Sequence, residues 1–209
     1  MCNYIWYASY GSNLLEERFL CYIRGGKPLG ATKTYQGCVD KSLPTAKKGL
    51  EIPYRIYFAK LAKIWSGGGV AFIHKEMSAS EVTLACMYRI SKEQFYDVIM
   101  QENGLTQRPE IELDKVIAQG SVILGKAGWY DQLLYLGKQN GEPIFTFTAK
   151  ELFQPYVAPH ESYLGTIIRG IKETHALTDE EIFDYLAVKE GIKNVPLRAD
   201  LKKLISSKK

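Results

Sequence analysis

The sequence predicts an α+β protein in which several short, antiparallel-type strands close, or nearly close, into a barrel accompanied by a few helices. Three observations carry this. A strand-like run at the N-terminus turns into a helical pattern with no linker between them. Aromatic and β-branched runs recur through residues 34–90, each bounded by turn residues. From about residue 160 the apolar spacing becomes helical.

The elements follow in order. Tyr4, Ile5, Trp6, Tyr7 and Ala8 read as a strand, cut by Gly11-Ser12-Asn13, and Leu14 to Phe19 open a helix. Strands are expected near 34–40, 54–60, 69–74 and 82–90. The glycines Gly67, Gly68 and Gly69 interrupt strand propensity and mark a bulge or a close backbone approach. Residues 91–102 read as a helix with Ser91 as N-cap and Gly104 just past its end. An irregular segment with one strand at 116–124 comes next, then a hairpin of 129–137 and 143–148 around "KQNGEP". Helices are expected at 161–174 and 179–190, the second opened by a capping box of Thr178 and Glu181. The chain divides into a main domain over 1–177 and a C-terminal helix with a basic tail over 178–209.

The 209 residues, 46% hydrophobic and 24% charged, suit one ordinary globular core. No apolar run approaches the ~20 residues of a membrane span, so a cytoplasmic protein is expected. Cys2, Cys21, Cys38 and Cys86 lack paired metal or redox spacing and read as reduced, mostly buried thiols; a structural zinc is not expected. The net charge of +4 is local. From residue 189 onward seven basic residues outweigh two acidic ones, which leaves −1 for everything before. A solvated tail is the expectation, and nucleic-acid binding by the folded body is not.

The corner at Gly11 has two readings. Asn13 and Glu16 can form a capping box, with Gly11 supplying the turn. Alternatively, a helix N-terminus there presents free N–H groups to a carboxylate or oxyanion, and Gly11 leaves the backbone approachable. Ser12 makes a poor nucleophile candidate, because the pattern is not G-x-S-x-G and no histidine is placed to serve it. Glu102 is the odd carboxylate. It ends a helix, where the dipole disfavours negative charge by a few tenths to ~1 kcal/mol. Phe95, Val98 and Ile99 lie seven, four and three residues before it, so it shares their apolar face. There its pKa is expected to rise, as a general acid or base near neutral pH requires; the other reading is that the last turn frays and Glu102 reaches water. Tyr163 shares a helical face with Ile167, Gly170 and Ile171, so its hydroxyl needs an internal partner. His74, His160 and His175 are scattered and read as structural or surface residues.

These pieces together resemble the gamma-glutamylcyclotransferase family. "YASYGSNLLEER" is similar to its signature strand running into Y-G-S-N-L, "WSGGGVAF" to a later strand, and "QENG" to the helix end that carries its catalytic glutamate. "GWYDQLLYLGKQNGEPIFTF" resembles its following hairpin, and "PHESYLGTIIRGIKETHALTDEE" its late helix. The match spans most of residues 4–181; the 103–127 segment and the part after 178 depart from it. The resemblance implies a small mixed β-barrel with flanking helices, and release of 5-oxoproline from a γ-glutamyl amide without metal or cofactor. It makes Glu102 the catalytic acid/base and Tyr10, Gly11, Ser12, Asn13, Leu14, Tyr130 and Tyr163 the substrate-binding set. The partner implied is a small γ-glutamyl compound, with the oligomeric state left open. A rival reading keeps the fold as a ligand-binding or interaction protein that has lost turnover.

Overall fold

The computed structural model describes residues 3–28, 33–125 and 128–207, except the side chain of Arg198. At its centre runs β1 (Tyr4–Ser9), buried on both faces, with Ile5 and Tyr7 in the main core and Trp6 and Ala8 in a second cluster with Met87 and Ile144. The chain then makes a short 3-10 turn at Ser12–Leu14 and enters α1 (Glu16–Arg24). β2 (Ala46–Ile52) leads to a hairpin of β3 (Tyr54–Ala62) and β4 (Gly68–Met77), followed by β5 (Thr83–Ser91). α2 (Lys92–Asn103) starts at a capping box of Ser91 and Gln94 and stops at Gly104, which is left-handed. α3 (Leu113–Gln119) and β6 (Ser121–Ile123) precede β7 (Gln132–Gln139) and β8 (Glu142–Thr148). The β7–β8 turn has Asn140 and Gly141 both at positive φ, as a tight hairpin requires. α4 (Glu161–Thr174), α5 (Asp179–Ala187) and α6 (Leu197–Ser206) complete the chain, and Thr178 and Glu181 cap α5 reciprocally.

The architecture is α+β, but the sheet is not the expected barrel. Six strands pair in the order β2-β5-β1-β8-β7-β6, with β1 and β8 parallel and the other pairs antiparallel. β3 and β4 form a separate two-stranded sheet. Threonine side chains link the two sheets. Thr148, at the end of β8, accepts from the Ile73 N–H (3.1 Å) and donates to the Ile73 carbonyl (2.6 Å). Thr83 donates to the Tyr54 carbonyl at 2.6 Å. These side-chain contacts tie the hairpin to the sheet without continuing a backbone ladder.

Other expectations shift. Residues 34–40 are not a strand: Tyr35 makes one isolated bridge to Gly26, and Tyr35 and Cys38 are buried against α1. The strand lies instead at 46–52, where Ala-Lys-Lys-Gly has little strand propensity; its lysines suit an edge. Residues 116–124 split between the end of α3 and β6. Gly68 and Gly69 permit close approach: a Cβ on Gly69 would lie 2.1 Å from the Val157 carbonyl oxygen, and one on Gly68 2.2 Å from the His160 nitrogen. The basic tail is not solvated throughout, because Leu201 and Ile205 of α6 are buried in the main core and Lys172 of α4 donates to the Ile205 carbonyl (2.7 Å). Its last two lysines, Lys208 and Lys209, lie outside the described residues, as does Cys2. Cys21, Cys38 and Cys86 are free thiols. Among the described residues no helix is long and apolar enough to cross a membrane.

Candidate active site

The corner after β1 is built differently from a helix cap. The Leu14 N–H donates to the Gly11 carbonyl (3.0 Å) and the Leu15 N–H to the Ser12 carbonyl (3.3 Å), closing the 3-10 turn on itself. α1 begins only at Glu16, with no side-chain cap, so Asn13 and Glu16 form no capping box. Glu16 instead pairs with Lys47 at 2.7 Å. The Leu14 amide is therefore spent, and Leu14 lies off the cavity, packed beneath α4. Gly170 makes that packing possible: a Cβ there would lie 2.5 Å from Leu14 Cβ and from Leu15 N. From the other side the Tyr88 hydroxyl donates to the Asn13 carbonyl (2.9 Å).

Asn13, freed from capping, turns inward and donates through Nδ2 to Glu102 Oε1 at 2.8 Å. Its Oδ1 is buried with no partner among the described residues. Glu102 comes from the last turn of α2, which packs through Phe95, Val98 and Ile99, so the helix does not fray and the carboxyl stays partly buried. Burial pushes its pKa above the ordinary 4.5, against the pull of Arg18, Tyr22, Lys33 and Asn13.

Tyr10, Gly11, Ser12, Asn13, Glu102, Tyr130 and Tyr163 all line one cavity of about 40 Å³, with Tyr7, Ser9, Ala71 and Phe147 completing its wall. The tyrosine hydroxyls are committed differently. Tyr10 donates to the Phe147 carbonyl (2.8 Å) and Tyr130 to the Ala71 carbonyl (3.0 Å). Tyr163 accepts from the Ala71 N–H at 3.0 Å, which leaves its own proton free to donate. Gly11 allows this arrangement, since a Cβ there would sit 3.0 Å from the Tyr163 oxygen.

A second cavity of about 260 Å³ shares Ser12, Glu102, Tyr130 and Tyr163 with the first and continues past Arg18, Tyr22, Lys33, Tyr35, Lys63, Trp65 and Trp129. No described residue from 103 to 125 lines either cavity, although that stretch follows Glu102 directly in the chain. No histidine lines them: His160 caps α4, His175 Nε2 faces the Ala85 carbonyl at 3.1 Å, and His74 packs edge-on against Tyr57. Among the described residues no group of three or more His, Cys, Asp or Glu is placed to hold a metal ion.

Two participants escaped the sequence reading. Asn103 clamps the Tyr130 backbone, donating to its carbonyl and accepting from its N–H, both at 3.1 Å; only the fold brings them together. Arg18 is buried at 5% exposure beside Tyr22, and its i, i+4 spacing with that aromatic was a usable signal.

No family's sequence profile matches the chain. Among curated proteins, "Histone deacetylase 5" of Arabidopsis thaliana is 38% identical over 198 residues, covering 87% of this chain. The match takes in 30% of that protein, so the chain spans less than a third of the relative's length. Among solved structures, an uncharacterized protein from Homo sapiens superposes with a TM-score of 0.53 at 15% identity, over 99% of this chain and 100% of the other. A structure named gamma-glutamyl cyclotransferase superposes with a TM-score of 0.52 at 16% identity, over 97% and 98%. At such identities the likeness is one of fold. The open sheet, its detached hairpin and the helices around them thus share the fold of that gamma-glutamyl cyclotransferase structure.

Proposed function

We propose that the chain is a cyclotransferase that releases 5-oxoproline from a γ-glutamyl amide. The observation that carries this is the pairing of Glu102, its pKa raised by burial, with Asn13 of the Y-G-S-N-L turn across one small cavity. The substrate's own α-amine attacks its γ-carbonyl carbon, so the two reacting groups are already joined, and holding the folded conformer removes much of the barrier. The α-ammonium sits against the Glu102 carboxylate and the unpartnered Asn13 Oδ1, both acceptors. Glu102 takes one proton from the α-ammonium, which frees the lone pair that attacks, and returns it to the departing nitrogen as the original amide bond breaks; the second proton shed by the new lactam nitrogen passes to the same amine, which leaves as an ammonium ion. The spare Tyr163 proton is suited to the oxygen that becomes negative in between. Tyr130, held by Asn103 and by Ala71, gives the glutamyl chain a fixed wall.

The long relative supports a second reading, in which this fold serves as a binding module within a larger protein. That relative's named activity belongs to a protein of which the match is 30%, and it is not carried to this chain. Incubation with a panel of γ-glutamyl amino acids, peptides and amines, followed for 5-oxoproline, separates the readings. Release from any member that disappears in Glu102→Gln supports the enzyme. Tight binding of a γ-glutamyl compound without release from any member supports the module.

A further inference from the structure

The outer cavity carries a charge pattern that ring closure does not use. Arg18 Nη2 donates to the Tyr35 hydroxyl, and the guanidinium lies over the rings of Tyr35, Tyr22 and Trp65 at 4.6, 5.5 and 5.6 Å. Its Nε and Nη1 are buried and have no partner among the described residues. Buried guanidinium donors are rarely left unmade, because each orphaned N–H forfeits its hydration without return. Lys33 and Lys63 stand on the same wall, and Glu102, at the junction with the inner cavity, is the one acid among the described lining residues. The remaining wall is largely apolar or aromatic: Ala62, Ile64, Val70, Trp65 and Trp129.

We propose that Arg18 is the specificity-determining residue of the outer cavity, a carboxylate-binding subsite for the amine half of the substrate. The inference rests on the cyclotransferase reading, which puts the glutamyl half in the inner cavity and directs the leaving amine outward. The forked guanidinium matches a carboxylate with two parallel N–H donors, and the stacked rings hold its plane. Both orphan nitrogens lie beneath the cavity surface, so engaging a carboxylate requires the guanidinium to shift outward within its stack of rings. Lys33 and Lys63 add attraction at the mouth without the fork geometry. The apolar walls favour a bulky side chain on that amine. The preferred substrates are thus γ-glutamyl amides of large α-amino acids or peptides with a free carboxylate, ahead of uncharged amines. The competing role is a counter-ion for Glu102, which Arg18 also stabilises in its charged form.

The test compares two probes of nearly equal shape, γ-glutamylphenylalanine and γ-glutamylphenylalaninamide. Calorimetric titration into the full chain carrying Glu102→Gln reads binding without turnover. The carboxylate compound is expected to bind at least tenfold more tightly than the amide. Adding Arg18→Gln brings that ratio close to one, and Arg18→Lys leaves it between. Equal Kd values for the two probes in Glu102→Gln alone overturn the subsite, and this comparison needs no Arg18 variant to fold. A preference that survives Arg18→Gln also overturns it. An unchanged preference, accompanied in the single Arg18→Gln variant that keeps Glu102 by an upward move of the acidic limb of its kcat/KM profile, is the signature of a counter-ion alone and overturns it too. In parallel, wild-type protein is assayed for 5-oxoproline from both probes. Release without carboxylate preference sinks the subsite and leaves the cyclotransferase reading standing; neither release nor binding removes both.

Discussion

Replacing Glu102 with glutamine should damage catalysis and strengthen the fold at the same time. Glutamine keeps the size of the side chain, and its carbonyl oxygen can still accept from Asn13 Nδ2 across the 2.8 Å contact, so the cavity wall stays in place. What is lost is the ability to accept a proton. Positioned general-base catalysis contributes roughly 10²–10⁴-fold, or about 2.7–5.5 kcal/mol of barrier, and kcat should fall by that much while KM changes little. Stability moves the other way. Burial raises the carboxyl's pKa in the folded chain above the ordinary 4.5. The native state then holds a proton that the unfolded chain has released. The stability tied to this group is therefore greatest below pH 4.5 and is lost as pH rises through the folded pKa. Glutamine carries no such penalty. Urea denaturation of the two proteins should show Glu102→Gln ahead at pH 8, with the gap closing toward pH 4. Steady-state release of 5-oxoproline supplies the other half. Wild-type turnover by the variant would remove Glu102 as the base, and a variant less stable than wild type at pH 8 would refute the buried-charge argument.

The remaining expectations concern the same scaffold. The acidic limb of the wild-type kcat/KM profile should lie above the ordinary glutamate range, with activity rising as Glu102 ionises; a limb at or below 4.5 would contradict the burial. Gly170→Ala forces a Cβ to within 2.5 Å of Leu14 and Leu15. About 1–3 kcal/mol of overpacking should outweigh the roughly 1 kcal/mol gained in helix propensity, and the displaced turn should lower turnover by about tenfold or more, checked by thermal melting and the oxoproline assay. Leu201→Ala should cost about 2–5 kcal/mol, seen as a Tm lower by roughly 2–4 °C per kcal/mol, since Leu201 is fully buried in the core. Lys203→Ala on the same helix, with its side chain 85% exposed, should stay within about 0.5 kcal/mol of wild type.

Local signals were enough to locate most of the elements and to single out Glu102 as a carboxylate on an apolar helix face. The N-cap at Ser91, the capping box at Thr178, the Asn-Gly turn and the helical face shared by Phe95, Val98, Ile99 and Glu102 all act over a few residues, so they are readable in one dimension. The resemblance to one family added the expectation that the Gly11 turn and Glu102 belong to one site, and the structure places both on one cavity. Tertiary contacts decided the rest. Whether Asn13 capped a helix or met Glu102 depended on competition between a local amide and a carboxylate 89 residues away, and the distant partner won. Thr83 and Thr148 look like ordinary strand residues, yet their hydroxyls meet the backbone of the detached hairpin, a contact only the fold creates. The lysine-rich end read as a solvated tail because charge dominates its composition. Leu201 and Ile205 within it are buried in the main core, packed by residues far away in sequence. Arg18 shows the same limit most clearly. Its spacing with Tyr22 is written in the sequence, but the rings of Tyr35 and Trp65 that bury it arrive from 17 and 47 residues away, and desolvation is a property of that assembly alone.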